Sequence, residues 1–256
     1  LEQELGGYAA AAAVRDELES VYRSIASLIQ AKLSQIALTE SATTAFTRLF
    51  YAMADRQLKK KKSIVLVSQV EYAANLVAVC DFARSHDWNV IMMPSETCSD
   101  GTSTGKVDVS ILRDILEGSY VFNGEYLDPN LIAMVCVTHV PTNSGVANPV
   151  EAIGKLIAVF NKEVNNTIFY LVDACQSLGQ LPIHVRDIDC HGLVATGRKY
   201  LKGPRGTGFL YVNDDQLLPS HVDHHGVPVQ CVADRIDQPL QNVLKFKPRA
   251  NARRFE

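Results

Sequence analysis

The sequence predicts an α/β fold, a mostly parallel sheet sandwiched by helices, and three observations carry that prediction. Apolar runs of strand length, among them 64–67, 131–137 and 168–172, alternate with stretches whose apolar residues recur at helical spacing. The strongest runs are apolar throughout rather than at every second residue, as strands buried on both faces of a parallel sheet require. Polar and small residues gather just past the ends of these runs, where open α/β sheets keep their ligands.

A chain of 256 residues is long enough to bury a full core. Its apolar fraction of 47% and charged fraction of 21% are ordinary for a globular protein. A net charge of −3 provides no electrostatic footprint for nucleic acid or anionic lipid, so neither is expected as a partner. No apolar run approaches the ~18 residues of a membrane span, and no charged-then-apolar leader precedes the fold. Six scattered cysteines without a CxxC pair point to a reducing compartment, and the cytoplasm is the expected location. The chain opens on Leu1 and stops at Glu256 without a cap or polar tail, so both ends look cut.

In chain order, residues 1–32 read as helix, with Val14, Leu18, Val21, Ile25 and Ile29 on one apolar face and a break at Gly6-Gly7. Residues 35–39 form a short strand. Glu40-Ser41-Ala42-Thr43-Thr44 then turns into a helix over 45–54. Small and hydroxyl residues in that turn suit either simple N-capping by Ser41 or Thr43 or presentation of free backbone N–H groups to an anion. Lys59 to Lys62, between helix and strand, reads as a solvated loop. The strand over 63–68 leads through Gln69-Val70-Glu71-Tyr72 into a helix ending near His86, which places Tyr72 to lie on a ligand ring or simply to pack.

A strand over 89–93 precedes a polar loop at 95–105, a helix over 107–116 and a solvated insertion at 118–129. The buried-type strand 131–138 delivers His139-Val140-Pro141-Thr142-Asn143-Ser144-Gly145, and Pro149 starts a helix to about Phe160. Strands over 167–172, 192–195 and 209–212 complete the sheet. The signal then weakens over 214–251, a stretch interrupted by prolines.

Five strand ends thus carry candidates for one site: Ala42 with Thr43, Tyr72, Thr142 with Asn143, Asp173 with Gln176, and Thr196, Arg198 and Lys199. Lys199 lies 26 positions after Asp173 and is flanked by Thr196, Gly197 and Arg198. An amine in that setting can condense with an aldehyde. A buried Asp173 can hold a pyridine nitrogen protonated, although an aspartate ending a strand is often only a helix cap. Thr43, Thr196 and Arg198 suit a phosphate, and Gln176 suits a ring hydroxyl. The pattern therefore fits a cofactor with a positive ring nitrogen, an aldehyde and a phosphate. Two rivals fail. No GxGxxG or GxxxxGK[ST] occurs, and His221, His224 and His225 lack partners at zinc-ligand spacing, so no metal site is expected.

These residues resemble the class V aminotransferase family. The likeness rests on Val172-Asp173-Ala174-Cys175-Gln176-Ser177-Leu178-Gly179 and on Ala195-Thr196-Gly197-Arg198-Lys199-Tyr200-Leu201-Lys202-Gly203-Pro204-Arg205-Gly206-Thr207-Gly208. Glu40 to Thr43, Glu71 to Asn75, Thr138 to Asn143 and Ala252 to Glu256 match in order, so it covers nearly the whole chain. The family holds pyridoxal 5'-phosphate (PLP) and includes cysteine desulfurases, isopenicillin N epimerase-like proteins and hercynylcysteine sulfoxide lyases. The resemblance implies a Schiff base on Lys199, Asp173 on the pyridine nitrogen and Gln176 facing the ring oxygen. By the same carry-over Thr43, Thr196 and Arg198 hold the phosphate, Tyr72 is the candidate to stack on the ring, and Ala42 and Thr142 are further cofactor-binding candidates. Asn143 is the candidate to face substrate. Arg198 stands where desulfurases commonly have histidine, which tilts the match toward the epimerase and sulfoxide-lyase branch.

The resemblance also implies a PLP-binding large domain over 1–213 and a connecting segment over 214–256 toward a small domain outside the chain. It implies a homodimer and an amino-acid substrate, with C–S cleavage favoured over epimerase or aminotransferase chemistry. The alternative is a non-catalytic relative serving as an interaction module.

Overall fold

The computed structural model describes residues 2–164, 167–213 and Ala252. A seven-stranded sheet forms its centre, built from β1 (Ile36–Thr39), β2 (Ile64–Ser68), β3 (Asn89–Met93), β4 (Ile132–Thr138), β5 (Phe169–Asp173), β6 (Gly192–Thr196) and β7 (Gly208–Val212). The strand order is β1-β7-β6-β5-β4-β2-β3. β7 runs antiparallel to both of its neighbours, and the other adjacent pairs are parallel. The carboxyl ends of six strands therefore share one edge with the amino end of β7.

Helices cover both faces. The described ones are α1 (Glu2–Leu5), α2 (Gly7–Ala13), α3 (Arg15–Ile29), α4 (Ala42–Leu58), α5 (Ala73–His86), α6 (Val109–Leu116), α7 (Val150–Glu163) and α8 (Val185–Ile188). Alternation along β5 shows how the two cores divide. Phe169 and Leu171 pack with Phe46, Leu49 and Phe50 of α4 and Val79 and Phe82 of α5. Tyr170 and Val172 face the other way, among Ile29 of α3, Leu112 and Ile115 of α6, and Ile153 and Ile157 of α7. The inner strands are apolar on both sides because each side meets helices, which explains their unbroken apolar runs.

Several expectations needed correction. Residues 2–29 form three helices: besides the expected break at Gly6, the chain breaks at Val14 (φ −114°, ψ 24°). The buried face of α3 is Tyr22, Ala26 and Ile29, while Leu18 and Val21 are exposed. The 95–105 loop contains a hairpin, Ser95–Thr97 with Ser103–Val107, and the 118–129 insertion holds another, Val121–Phe122 with Glu125–Tyr126. The helix after β1 starts at Ala42, so the expected turn is its first turn, capped by the Ser41 hydroxyl accepting from the Thr44 N–H at 3.1 Å. The segment expected over 214–256 lies outside the described residues except for Ala252, as do His221, His224 and His225.

The lysine run is not wholly solvated. Lys62 is 3% exposed, and its ammonium donates to the carbonyls of Ile132 (2.8 Å) and Thr167 (2.7 Å) at the amino edge of the sheet. Nearby, the Gln57 amide in the last turn of α4 donates to the carbonyls of Ala133 (2.9 Å) and Thr167 (2.6 Å). α4 is thus fastened to the floor of the sheet at its carboxyl end. Its 17 residues span about 25 Å to the opposite edge, at ~1.5 Å per residue.

Close packing predicts two outcomes. A Cβ on Gly154 of α7 would lie 1.8 Å from the Ile188 carbonyl oxygen, a backbone atom that cannot yield cheaply. Gly154→Ala is expected to destabilise the fold by about 2 kcal/mol or more, read from the urea midpoint. Burial, with the neighbouring charge of Lys60 adding to it, lowers the Lys62 pKa to about 7. Between pH 7 and the usual lysine range the unfolded chain therefore binds the extra proton, and stability from this group rises with pH. The stability of wild type relative to Lys62→Met should increase between pH 7 and about 10; a flat difference would overturn the assignment.

Candidate active site

The shared strand edge opens into a cleft, and register places its groups. β4 and β5 align Thr138 with Asp173, and β5 and β6 align Asp173 with Val194, two residues before the end of β6. The His139 N–H donates to the Asp173 carbonyl and the Ala174 N–H to that of Val194, each at 2.9 Å, which locks β5 between its neighbours at the edge. The Asp173 side chain is 4% exposed. Its Oδ1 accepts from the Cys175 N–H at 2.8 Å, and its Oδ2 accepts from Nδ2 of Asn75 at 2.9 Å. A carboxylate has about four lone-pair sites, so Asp173 keeps room for a further donor from the cleft it lines.

Lys199 comes three residues after β6 on a tightly bound loop. The Gly197 N–H donates to Thr207 O at 3.0 Å, Gly203 N–H to Gly197 O at 2.7 Å, and Lys202 N–H to Lys199 O at 2.9 Å. The Thr196 hydroxyl also reaches Thr207 O at 3.1 Å. A Cβ on Gly197 would sit 2.4 Å from Oγ1 of Thr207, so glycine is what lets the loop fold back on itself. Among the described residues neither Arg198 nor Lys199 makes an ion pair.

At the far wall, the amino terminus of α4 is drawn against the sheet. A Cβ on Gly208 would lie 2.6 Å from the Ser41 carbonyl carbon and 2.8 Å from the Ala42 nitrogen. The first N–H groups of a helix lack intrahelical acceptors and carry its positive end, so Ala42 and Thr43 bring an anion-favouring edge to the cleft. Capping by Ser41, which takes the Thr44 N–H, leaves this edge open to an anion.

Of the residues singled out from sequence, Ala42, Thr43, Tyr72, Thr142, Asp173, Gln176, Thr196, Arg198 and Lys199 all line this one cleft. Gln176 donates from Nε2 to the Thr142 hydroxyl at 2.7 Å. Asn143 does not line it; the residue is exposed in the turn after β4. Four further liners were missed: Ser41, Asn75, Thr138 and Cys175. Asn75 had a signal, since it sits in the first turn of α5, four residues after Glu71 and within reach of it. Among the described residues, no His, Cys, Asp and Glu group is gathered to hold a metal.

The profile of the family described as aminotransferase class V matches residues 5–233. This chain belongs to the class V aminotransferase family. It is 30% identical over 203 residues to a probable cysteine desulfurase of Synechocystis, covering 79% of this chain and 42% of that protein. It is 27% identical over 211 residues to cysteine desulfurase IscS of Photobacterium profundum, covering 82% and 46%. The chain thus spans less than half the length of these curated relatives. Among solved structures, the apo cysteine desulfurase of Thermococcus onnurineus superposes with a TM-score of 0.64 at 22% identity, covering 93% of this chain and 51% of that one. A C-DES mutant with glycine covalently linked to its PLP cofactor superposes with a TM-score of 0.64 at 18% identity, covering 84% and 50%. At these identities the superpositions establish the fold.

Class V aminotransferases are PLP-dependent enzymes, and the cleft offers a partner for each handle of that cofactor. The buried, half-satisfied carboxylate of Asp173 suits a protonated ring nitrogen. The Thr43 hydroxyl, the α4 terminus and the Arg198 guanidinium suit a phosphate dianion, whereas the Thr196 hydroxyl already donates to Thr207 O, and the Lys199 amine suits an aldehyde. No described helix is long and apolar enough to cross a membrane.

Cys175 illustrates how environment decides reactivity. Burial, the Asp173 charge and a hydrogen bond to Asp173 hold its thiol well above the usual range, and the charge of Lys199 only partly opposes them. It should stay a thiol. Alkylation with iodoacetamide at pH 8, followed by peptide mass mapping, is expected to label exposed Cys80 and Cys98 at least about ten times faster than Cys175.

Proposed function

We propose that this chain carries the cofactor-binding domain of a PLP enzyme acting on an amino acid, with C–S bond cleavage the favoured outcome. The observation that carries the reading is that Lys199 and Asp173, 26 residues apart, line one cleft from the ends of adjacent strands. The desulfurase names of the relatives favour C–S cleavage over epimerase or aminotransferase outcomes. In this reading residues 1–213 form the cofactor domain and 214–256 lead toward a smaller domain. A second copy of the chain is the partner expected from family likeness.

When bound, pyridoxal phosphate supplies an electron sink conjugated to the substrate amine. The chain's own residues do the rest. Asp173 keeps a proton on the ring nitrogen, held in place by Asn75 and the Cys175 N–H. Thr43, Arg198 and the α4 terminus bind the phosphate, Thr196 joins them once its hydroxyl turns from Thr207 O, and Ala42 and Thr142 line the cofactor cleft. Tyr72, 43% exposed at the cleft, covers a ring face, and Gln176 donates to the ring oxygen. Lys199 takes and returns the proton at the substrate α-carbon, which requires its amine to be free at the moment of transfer.

The test is a spectral titration of the chain with PLP, followed by a panel of amino acids that includes cysteine. Wild type should develop a visible absorbance band, and Lys199→Ala should lose it together with at least about 10³-fold in turnover. Survival of the band in Lys199→Ala would overturn the assignment.

A further inference from the structure

One buried acid beside the cleft has no part in that scheme. Glu71, in the turn between β2 and α5, is 7% exposed. It accepts from five donors on four residues: at Oε2, Ser68 Oγ (3.1 Å) and the Thr138 N–H (2.8 Å); at Oε1, the Tyr72 N–H (3.1 Å), Nδ2 of Asn75 (3.2 Å) and the Thr138 hydroxyl. The Asn75 nitrogen that reaches Glu71 also reaches Asp173. One amide nitrogen, with two hydrogens to give, therefore bridges two buried carboxylates.

We propose that Glu71 is a positioning residue of the site: it fixes the Asn75 amide toward Asp173 and sets a second negative charge behind the carboxylate that faces the ring nitrogen. The inference rests on the PLP reading above. Three steps support it. With an acid on each side, the Asn75 amide has one workable orientation, because a flip would aim its carbonyl oxygen at a carboxylate. Three of the five donors to Glu71 are N–H groups that cannot accept, so its surroundings are built to receive lone pairs rather than a proton. Finally, two buried negative charges bridged by one amide are costly without a cation nearby. Arg198 and Lys199 are the basic residues of the cleft, and a protonated ring nitrogen on Asp173 adds the positive charge that offsets the pair.

Burial is the main force raising the Glu71 pKa, opposed by the hydrogen bonds from Thr138 and Asn75 and reinforced by the charge of Asp173. Burial, with the charge of Glu71 adding to it, pushes Cys136 on β4 and Tyr170 on β5 well above their usual ranges, so they remain neutral. Asp173 is thus the charged group that Glu71 meets across Asn75.

A merely structural Glu71 would affect stability alone, so the deciding measurement is the pH midpoint of the visible band of the PLP-loaded chain. Glu71→Gln removes a negative charge near the ring nitrogen and should move that midpoint to lower pH by about one unit, tenfold in proton affinity, and weaken PLP binding several-fold. Gln57→Leu, which disturbs the opposite edge of the sheet, should lower the melting temperature and leave the midpoint where it is. An unmoved midpoint and unchanged PLP affinity in Glu71→Gln would overturn the inference. Should that variant fail to fold, Ser68→Ala, which removes one donor to Glu71, decides it: a smaller shift in the same direction supports the inference and no shift overturns it. Wild type that takes up no PLP sinks the proposed function and this inference together, a failure visible before any substitution is made.

Discussion

A buried carboxylate must be held from every side, and the structure around the cleft depends on how Asp173 is held. Its backbone is fixed by β4 and β6, one oxygen by the N–H of Cys175, and the other by Asn75 from α5. Three separate elements must therefore arrive at one edge in register. The alignment of Thr138 with Asp173 provides this, because a slip of one residue would turn Asp173 toward the opposite helical layer. The same alignment brings Thr138 to Glu71, so the β4–β5 pairing sets the geometry of both acids.

The lysine side of the cleft is built differently. Asp173 is immobilised by hydrogen bonds to its side chain, whereas Lys199 is immobilised through its backbone. Bonds at Gly197, Lys199 and Gly203 pin the loop and leave the ammonium uncommitted among the described residues. That division suits the chemistry: an acid that only holds a charge can be fixed, but an amine that must bind, release and then carry a proton needs freedom at its tip.

Much of this was legible in the sequence because the relevant signals are local. Unbroken apolar runs located all seven strands to within two residues, and polar groups after those runs located the cleft. What stayed hidden depends on partners distant in the chain. Phe209 to Val212 reads the same whichever way the strand points, so the antiparallel β7 could not be seen. The hairpins at 95–107 and 121–126 and the four-residue α8 are too short for periodicity to register. The face of α3 was misjudged because Leu18 and Val21 fit a helical stripe that the fold does not cover. Asn75 and Thr138 looked like ordinary helix-start and strand-end residues; Asp173 for Asn75 and Glu71 for Thr138, both brought in by tertiary pairing, give them a role. Asn143, the candidate to face substrate, is exposed in the turn after β4.

Two lysines show why burial alone does not define a reactive amine. Lys62 is the more deeply buried, and desolvation brings its pKa to about 7, the property usually sought in a nucleophilic lysine. Yet it sits at the amino edge of the parallel strands, where the carbonyls of Ile132 and Thr167 take its hydrogens. Lys199 sits at the carboxyl edge, half-buried, beside a carboxylate that can complete a cofactor. The sheet's polarity separates the two roles: its amino edge turns the first lysine into a strut between α4 and the strands, and its carboxyl edge leaves the second facing a ligand.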